Sequence, residues 1–318
     1  MVFLFILLIV LFALYNSGKG TLKIDKSNAL KAFFPYVIIL HHVSQMTGGV
    51  LDFRWAGPYG VGVFFFISGY GLEYKRSCDL LNLPSFIKRI KSILVPIILP
   101  VIIYLILLST DGIDVWDYTI KQLYHPAIVF SYTWFVIVLM ILYSSYYILS
   151  HLFPKRIFFA ELLFLVLYSA IMILLRKDGT FFITTYCFLA GAVYQNREEL
   201  IQKWQTNFWF VTIAIIVLLL TTIVALFPPP FKGYAALGAL MWTICFIFLY
   251  TKIDFRYNKV LDHLKSISYD VFLCQGLAFY VLTRVLAISD SWLFATLSVI
   301  LSFIMGEICY TIRKAMKI

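Results

Sequence analysis

The sequence predicts an all-α, polytopic transmembrane bundle of about eleven helices, on two observations. Of the 318 residues 62% are hydrophobic and only 13% charged, a balance that leaves too little polar surface for a soluble domain. The apolar residues also fall in continuous runs of bilayer length, not in the alternating pattern of barrel strands, and only a helix satisfies its own backbone in lipid along such a run. The runs centre on 2–16, 29–47, 58–74, 92–109, 127–150, 157–175, 180–194, 207–227, 233–250, 266–288 and 291–312. Connections are short, with no internal repeat and no low-complexity tract, so residues 1–318 are expected to form one membrane domain. The first run has no basic residue before it and no small-residue cleavage site after it, and reads as a retained helix, not a signal peptide.

Charge sets the expected orientation. The formal net charge is +10, and its cations sit in alternate connections: Lys19, Lys23 and Lys26; Lys75 to Lys91; Lys155 and Arg156; Lys252 to Lys265; and the tail from Arg313. Placing these in the cytoplasm puts the N-terminus outside and the C-terminus inside, with Asp111, Asp114, Asp117 and the Pro228–Pro230 turn on the outer side. Arg176 and Lys177 then fall outside, against the trend. Basic residues dispersed in this way serve topology and do not form a nucleic-acid surface. The five cysteines are scattered without a CxxC pair, and no metal site is expected.

Chemistry concentrates in the second run, which carries Lys31, His41 and His42 at positions where ionisable groups are costly. Eleven steps at about 100° put Lys31 and His42 on one face about 16 Å apart, with His41 nearly a quarter turn away. A neutral imidazole there can take a proton from a hydroxyl, and a cation nearer the cytoplasm can hold a phosphate-bearing donor. The alternative is that Lys31 snorkels to headgroups and His42 bonds a neighbouring helix. The third run, Gly57 to Tyr70, alternates small and aromatic residues, which suits close packing at Gly60, Gly62 and Gly69 with Ser68 as an interhelical polar contact. Before the fourth run, Lys88, Arg89 and Lys91 either anchor to inner-leaflet lipid or bind donor phosphates, with the anchor favoured for Lys88.

These segments together resemble the acyltransferase 3 family of bacterial membrane O-acyltransferases. Lys31, ten residues and His42 match its basic-residue-to-histidine spacing; Gly60-Val-Gly-Val-Phe-Phe-Phe-Ile-Ser-Gly69 matches its Gly-rich segment; Lys88-Arg-Ile-Lys-Ser-Ile-Leu-Val-Pro96 matches its basic run ending in proline. Tyr132-Thr-Trp-Phe135 and Ser268-Tyr-Asp-Val-Phe-Leu273 resemble two later elements, so the likeness spans 20–318 and leaves 1–18 as an additional helix. The resemblance implies transfer of an acyl group, commonly acetyl from acetyl-coenzyme A, to hydroxyls of a cell-surface polysaccharide or glycolipid. The setting it implies is the bacterial cytoplasmic membrane, with glycan-synthesis proteins as further partners. It carries His42 over as the catalytic histidine and Lys31 as its basic partner. Arg89, Lys91, Ser68, Trp134 and Tyr132 are the expected donor or substrate contacts, although Trp134 and Tyr132 also suit an aromatic belt. Lys31 stands where the family usually has Arg, and Gln275 where a histidine often ends the late element; both changes bear on activity.

An inward-opening, basic and oxygen-rich pocket joining Lys31 to His42 is therefore expected. Glu161, Glu307 and Arg284 lie in later apolar runs where a charge is costly unless paired; the glutamates either pair with Arg284 or Lys31 or line the cavity. His125 reads as a solvated loop residue. A transporter or flippase of a lipid-linked saccharide, or an inactive relative, is the competing reading. Inverted repeats would favour transport and none is found.

Overall fold

The computed structural model describes residues 18–48, 53, 56–118, 134–227, 232–254 and 257–316, and among them every regular element is helical. In chain order the α-helices are α1 (Ile24–Met46), α2 (Ala56–Ser77), α3 (Leu83–Thr110), α4 (Trp134–Leu152), α5 (Ile157–Leu174), α6 (Tyr186–Asn196), α7 (Glu198–Gln205), α8 (Phe208–Val224), α9 (Lys232–Tyr250), α10 (Lys259–Tyr280) and α11 (Ser291–Ala315). A 3-10 turn, Gly179–Phe181, precedes α6, and a π-helical turn, Val281–Val285, extends α10. Each expected run from 29–47 onward carries a helix; the run 2–16 lies outside the described residues.

Fewer of these helices than expected qualify as membrane spans. Six are long and apolar enough to cross a bilayer, or seven if α7 and α8, bent by 94°, count as one. The shortfall has local causes. Lys26, Lys31 and two histidines dilute α1, and Glu73, Lys75 and Arg76 dilute the end of α2. The 11 residues of α6 reach only about 16 Å, well short of the ~30 Å apolar core. The break before α8 is set by Asn207, whose side chain accepts from Trp209 N and starts a new helix. Asn82, Asn258 and Asp290 cap α3, α10 and α11 in the same manner.

The glycines of α2 make it the centre of the bundle. A Cβ at Gly60 would lie 2.9 Å from Ile38 of α1, and one at Gly62 would lie 2.6 Å from Thr243 of α9. At Gly69 the space belongs to the Phe188 carbonyl of α6, and reciprocally the Phe66 carbonyl of α2 fills the space a side chain at Gly191 would need. Backbones approach this closely only through small residues. Gly69→Ala is therefore expected to destabilise by about 1–3 kcal/mol through overpacking. The check is thermal unfolding in detergent, where an unchanged midpoint would show that the α2–α6 seam relaxes freely.

Two polar networks hold the same end of the bundle. Glu73, fully buried, accepts from Arg76 Nε and Nη2 at 2.6 and 2.7 Å, from Tyr146 OH at 2.6 Å and from Asn196 Nδ2 at 3.2 Å, tying α2, α4 and α6. The segment before α1 is clamped by Gly20 N donating to Gln205 Oε1 and Lys26 Nζ donating to the Thr251 carbonyl. Among the described residues the later glutamates pair with neither Arg284 nor Lys31. Glu307 meets His263 at 3.0 Å, Glu161 accepts from Ser145 Oγ, and Arg284 is exposed in the π turn.

Candidate functional site

Helices α1, α2, α3, α4 and α10 enclose a cavity of about 240 Å³, larger than the ~150 Å³ that holds a benzene ring. It is lined by Lys31 and Pro35, Phe64 and Ser68, Ser92 and Ile93, Phe135 and Leu139, and by Lys265, Ser268, Tyr269 and Phe272. Register sorts this lining into a polar collar and an apolar end. Arg89 Nη2 donates to Tyr143 OH at 3.0 Å, and Tyr143 OH donates to Ser68 Oγ at 3.0 Å, which puts α2, α3 and α4 level at the collar. One or two turns away from it, Phe64, Phe135 and Phe272 meet, with ring centroids 6.1 Å (Phe64–Phe135) and 5.4 Å (Phe135–Phe272) apart. On α1 the same direction runs from Lys31 to Pro35, and on α10 from Lys265 through Ser268 to Phe272.

The collar is cationic. Lys31 lies in the repulsive field of Arg89 and Lys265, and among the described residues none of the three forms an ion pair. Like charges held together without a carboxylate favour an anion between them, with phosphate or carboxylate oxygens as the matching chemistry. Arg89 is fixed both by its hydrogen bond and by lying 4.6 Å over the Tyr143 ring. Two prolines add acceptors: Pro35 deprives the Lys31 carbonyl of its i+4 N–H, and Pro96 does the same for Ser92. Tyr269 OH donates to the neighbouring Ile93 carbonyl at 3.1 Å, which joins α10 to α3 at this level.

The two histidines of α1 differ in setting. His41 is buried, its Nδ1 3.2 Å from the Phe53 carbonyl and its ring in the space that a side chain at Gly57 would need. His42 is half-buried, with Nδ1 3.2 Å from Gln45 Oε1 one turn on. In the Nδ1–H tautomer that nitrogen donates to the Gln45 oxygen, and the ring lone pair is on Nε2. Among the described residues, the cavity that holds Lys31 does not include His42 in its lining. From Pro35 to His42 is seven residues, about 10 Å along α1, and Phe135, from the far end of α4, lies across the apolar end.

Of the expected contacts, Lys31 and Ser68 line the cavity and Arg89 stands at its collar. Lys91 is exposed and does not line it, because two residues from Arg89 is about 200° around the helix. Trp134 is buried against Phe135 and Phe181 and does not line it. Tyr132 and His125 lie outside the described residues. In the sequence Lys265 carries only a topological signal, and Tyr143 and Gln45 carry none that distinguishes them, although Gln45 sits at the i+3 spacing that lets it reach His42. No group of three or more potential metal ligands occurs among the described residues.

The fold and the cavity together define a multi-pass helical protein with a cation-rimmed apolar cavity between its central helices. Comparison with family models makes this specific: residues 24–310 match the acyltransferase domain of the acyltransferase 3 type, and the chain belongs to that family. It is thus a membrane acyltransferase by family. No curated protein and no solved structure matches it.

Proposed function

We propose that the chain moves an acyl group, acetyl from acetyl-coenzyme A in the simplest case, to hydroxyls of a cell-surface polysaccharide or glycolipid in the bacterial cytoplasmic membrane. The observation that carries this is the collar of Lys31, Arg89 and Lys265 at the mouth of an apolar cavity. A cationic rim above a greasy channel suits a donor with phosphates at one end and a thioester on a long arm at the other. We read the lysine-rich end of the bundle as cytoplasmic, so the donor enters there and the acceptor approaches from the opposite end. His42 Nε2 takes the proton of the acceptor hydroxyl as its oxygen bonds the acyl carbon. The carbon–sulfur bond then breaks, and the imidazolium returns the proton to the leaving thiolate. Gln45 holds the tautomer that makes Nε2 the base.

The test addresses the donor. Lys31→Met is expected to raise the acetyl-coenzyme A concentration for half-maximal ester formation about 10- to 100-fold, the size of one lost charge-assisted contact of about 1.5–3 kcal/mol, with little change in kcat. Lys31→Arg should retain most of the affinity. An unchanged half-saturation would remove the collar as the donor site. A saccharide flippase would bind no coenzyme A and form no ester in the same preparation.

A further inference from the structure

The cavity that begins at Lys31 and the histidine that receives the acceptor are separated by an aromatic contact. On α1 and α2, which run antiparallel, His41 lies against Gly57, Ile38 against Gly60, and Phe34 3.6 Å from the Cβ position of Gly60, so Phe64 stands level with Pro35. At that level Phe135 stacks on Phe65 with centroids 5.1 Å apart, meets Phe64 edge-on and reaches across to Phe272. One side chain from α4 therefore bridges α2 and α10 at the apolar end of the cavity. Beyond it stands a buried polar side chain. Gln275 follows Phe272 on the stripe of α10 that starts at Ser268, since seven steps fall only about 20° short of two turns. It is fully buried, and among the described residues neither its Oε1 nor its Nε2 has a hydrogen-bond partner. A buried amide with nothing to bond is costly, and one placed beyond an aromatic contact marks where a polar chain passing through would find both a donor and an acceptor.

We infer that Phe135, closing against Phe64 and Phe272, is a specificity-determining seal that makes the protein a transferase and not a thioester hydrolase. This rests on the acyl-transfer reading. A thioester arm parts the three rings and fills the gap with its own apolar length, so its carbonyl reaches the His42 end without an accompanying file of water. Without the seal, water takes the acceptor's place: its oxygen bonds the acyl carbon, the carbon–sulfur bond breaks, and the products are a free thiol and a carboxylic acid. The seal thus sets the choice between a glycan hydroxyl and water.

The experiment uses full-length protein in membrane vesicles with acetyl-labelled acetyl-coenzyme A, with and without a cell-envelope glycan fraction from the source cells. Free thiol and base-labile acetate on glycan are measured together. Wild type should release thiol only with the glycan fraction, in step with ester. Phe135→Ala is expected to release thiol without glycan at ten or more times the wild-type rate, with a falling ratio of ester to thiol, while Phe135→Leu stays within about threefold of wild type. Phe64→Ala, at a half-buried position, should leak in the same way and carries the test if Phe135→Ala does not fold. Wild-type coupling in both alanine variants would overturn the seal while leaving acyl transfer intact. A wild type that forms no ester with the glycan fraction would overturn the acyl-transfer reading itself, and the seal with it.

Discussion

His42→Ala is expected to lower ester-linked acetate on surface glycans by about 10²- to 10⁴-fold at matched membrane abundance, the range that a positioned general base contributes. The geometry separates this from a folding defect. His42 is half-buried with its Nδ1 against the exposed Gln45, whereas His41 is buried. His41 is the internal control. Its ring fills the gap against Gly57 and its Nδ1 meets the Phe53 carbonyl, so His41→Ala should reduce thermal stability first and activity only in proportion to folded protein. Acetate released by mild base, measured beside unfolding in detergent for both variants, checks the contrast. Equal loss of ester per folded molecule in the two would show that the pair acts through structure, and undiminished ester in His42→Ala would turn attention to transport.

What the sequence could reveal of this site follows from which signals are local. Lys31 and Ser68 are legible because each breaks an apolar run, and Arg89 because it belongs to a basic cluster at the entrance of one; all three come together around the cavity or its collar. Lys265 and Tyr143 were not, because their importance lies in how α10 and α4 pack against α1, α2 and α3, and nothing within their own helices distinguishes them. The separation of Lys31 from His42 escaped for the same reason: one helix face predicts a continuous line, while the ring that crosses it arrives from residue 135. Lys91 does not join Lys31 and Ser68 in the cavity lining, and the 3.6-residue period already turns it away from Arg89. The packing role of the α2 glycines was read correctly, because a small residue every few positions has few other uses in lipid. Helices were legible at each apolar run from 29–47 onward, but the number of spans among the described residues was not, because α1 and α2 trade hydropathy for polar groups.

Those polar groups need a scaffold, and the second large effect is expected there. Glu73 occupies no part of the cavity, yet its carboxylate gathers Arg76, Tyr146 and Asn196 one to two turns from Ser68 on the same helix. Glu73→Gln keeps the shape but removes the charge, leaving Arg76 without a counterion and offering an N–H where the Tyr146 hydroxyl or the Asn196 amide must donate. Breaking a buried pair costs about 3–5 kcal/mol, and the side chain of Arg76, 25% exposed, recovers part of that through solvent, so a loss of about 3 kcal/mol is expected. Glu73→Leu with Arg76→Leu should recover some stability, because no charge is stranded, but not all of it, because Tyr146 and Asn196 still lose their acceptor. Thermal unfolding in detergent orders the variants. If the double replacement proves no more stable than Glu73→Gln, the carboxylate acts through Tyr146 and Asn196 and not through its ion pair. In either case the affinity for acetyl-coenzyme A per folded molecule should hold, because the cluster supports the collar from behind and contributes no atom to its lining.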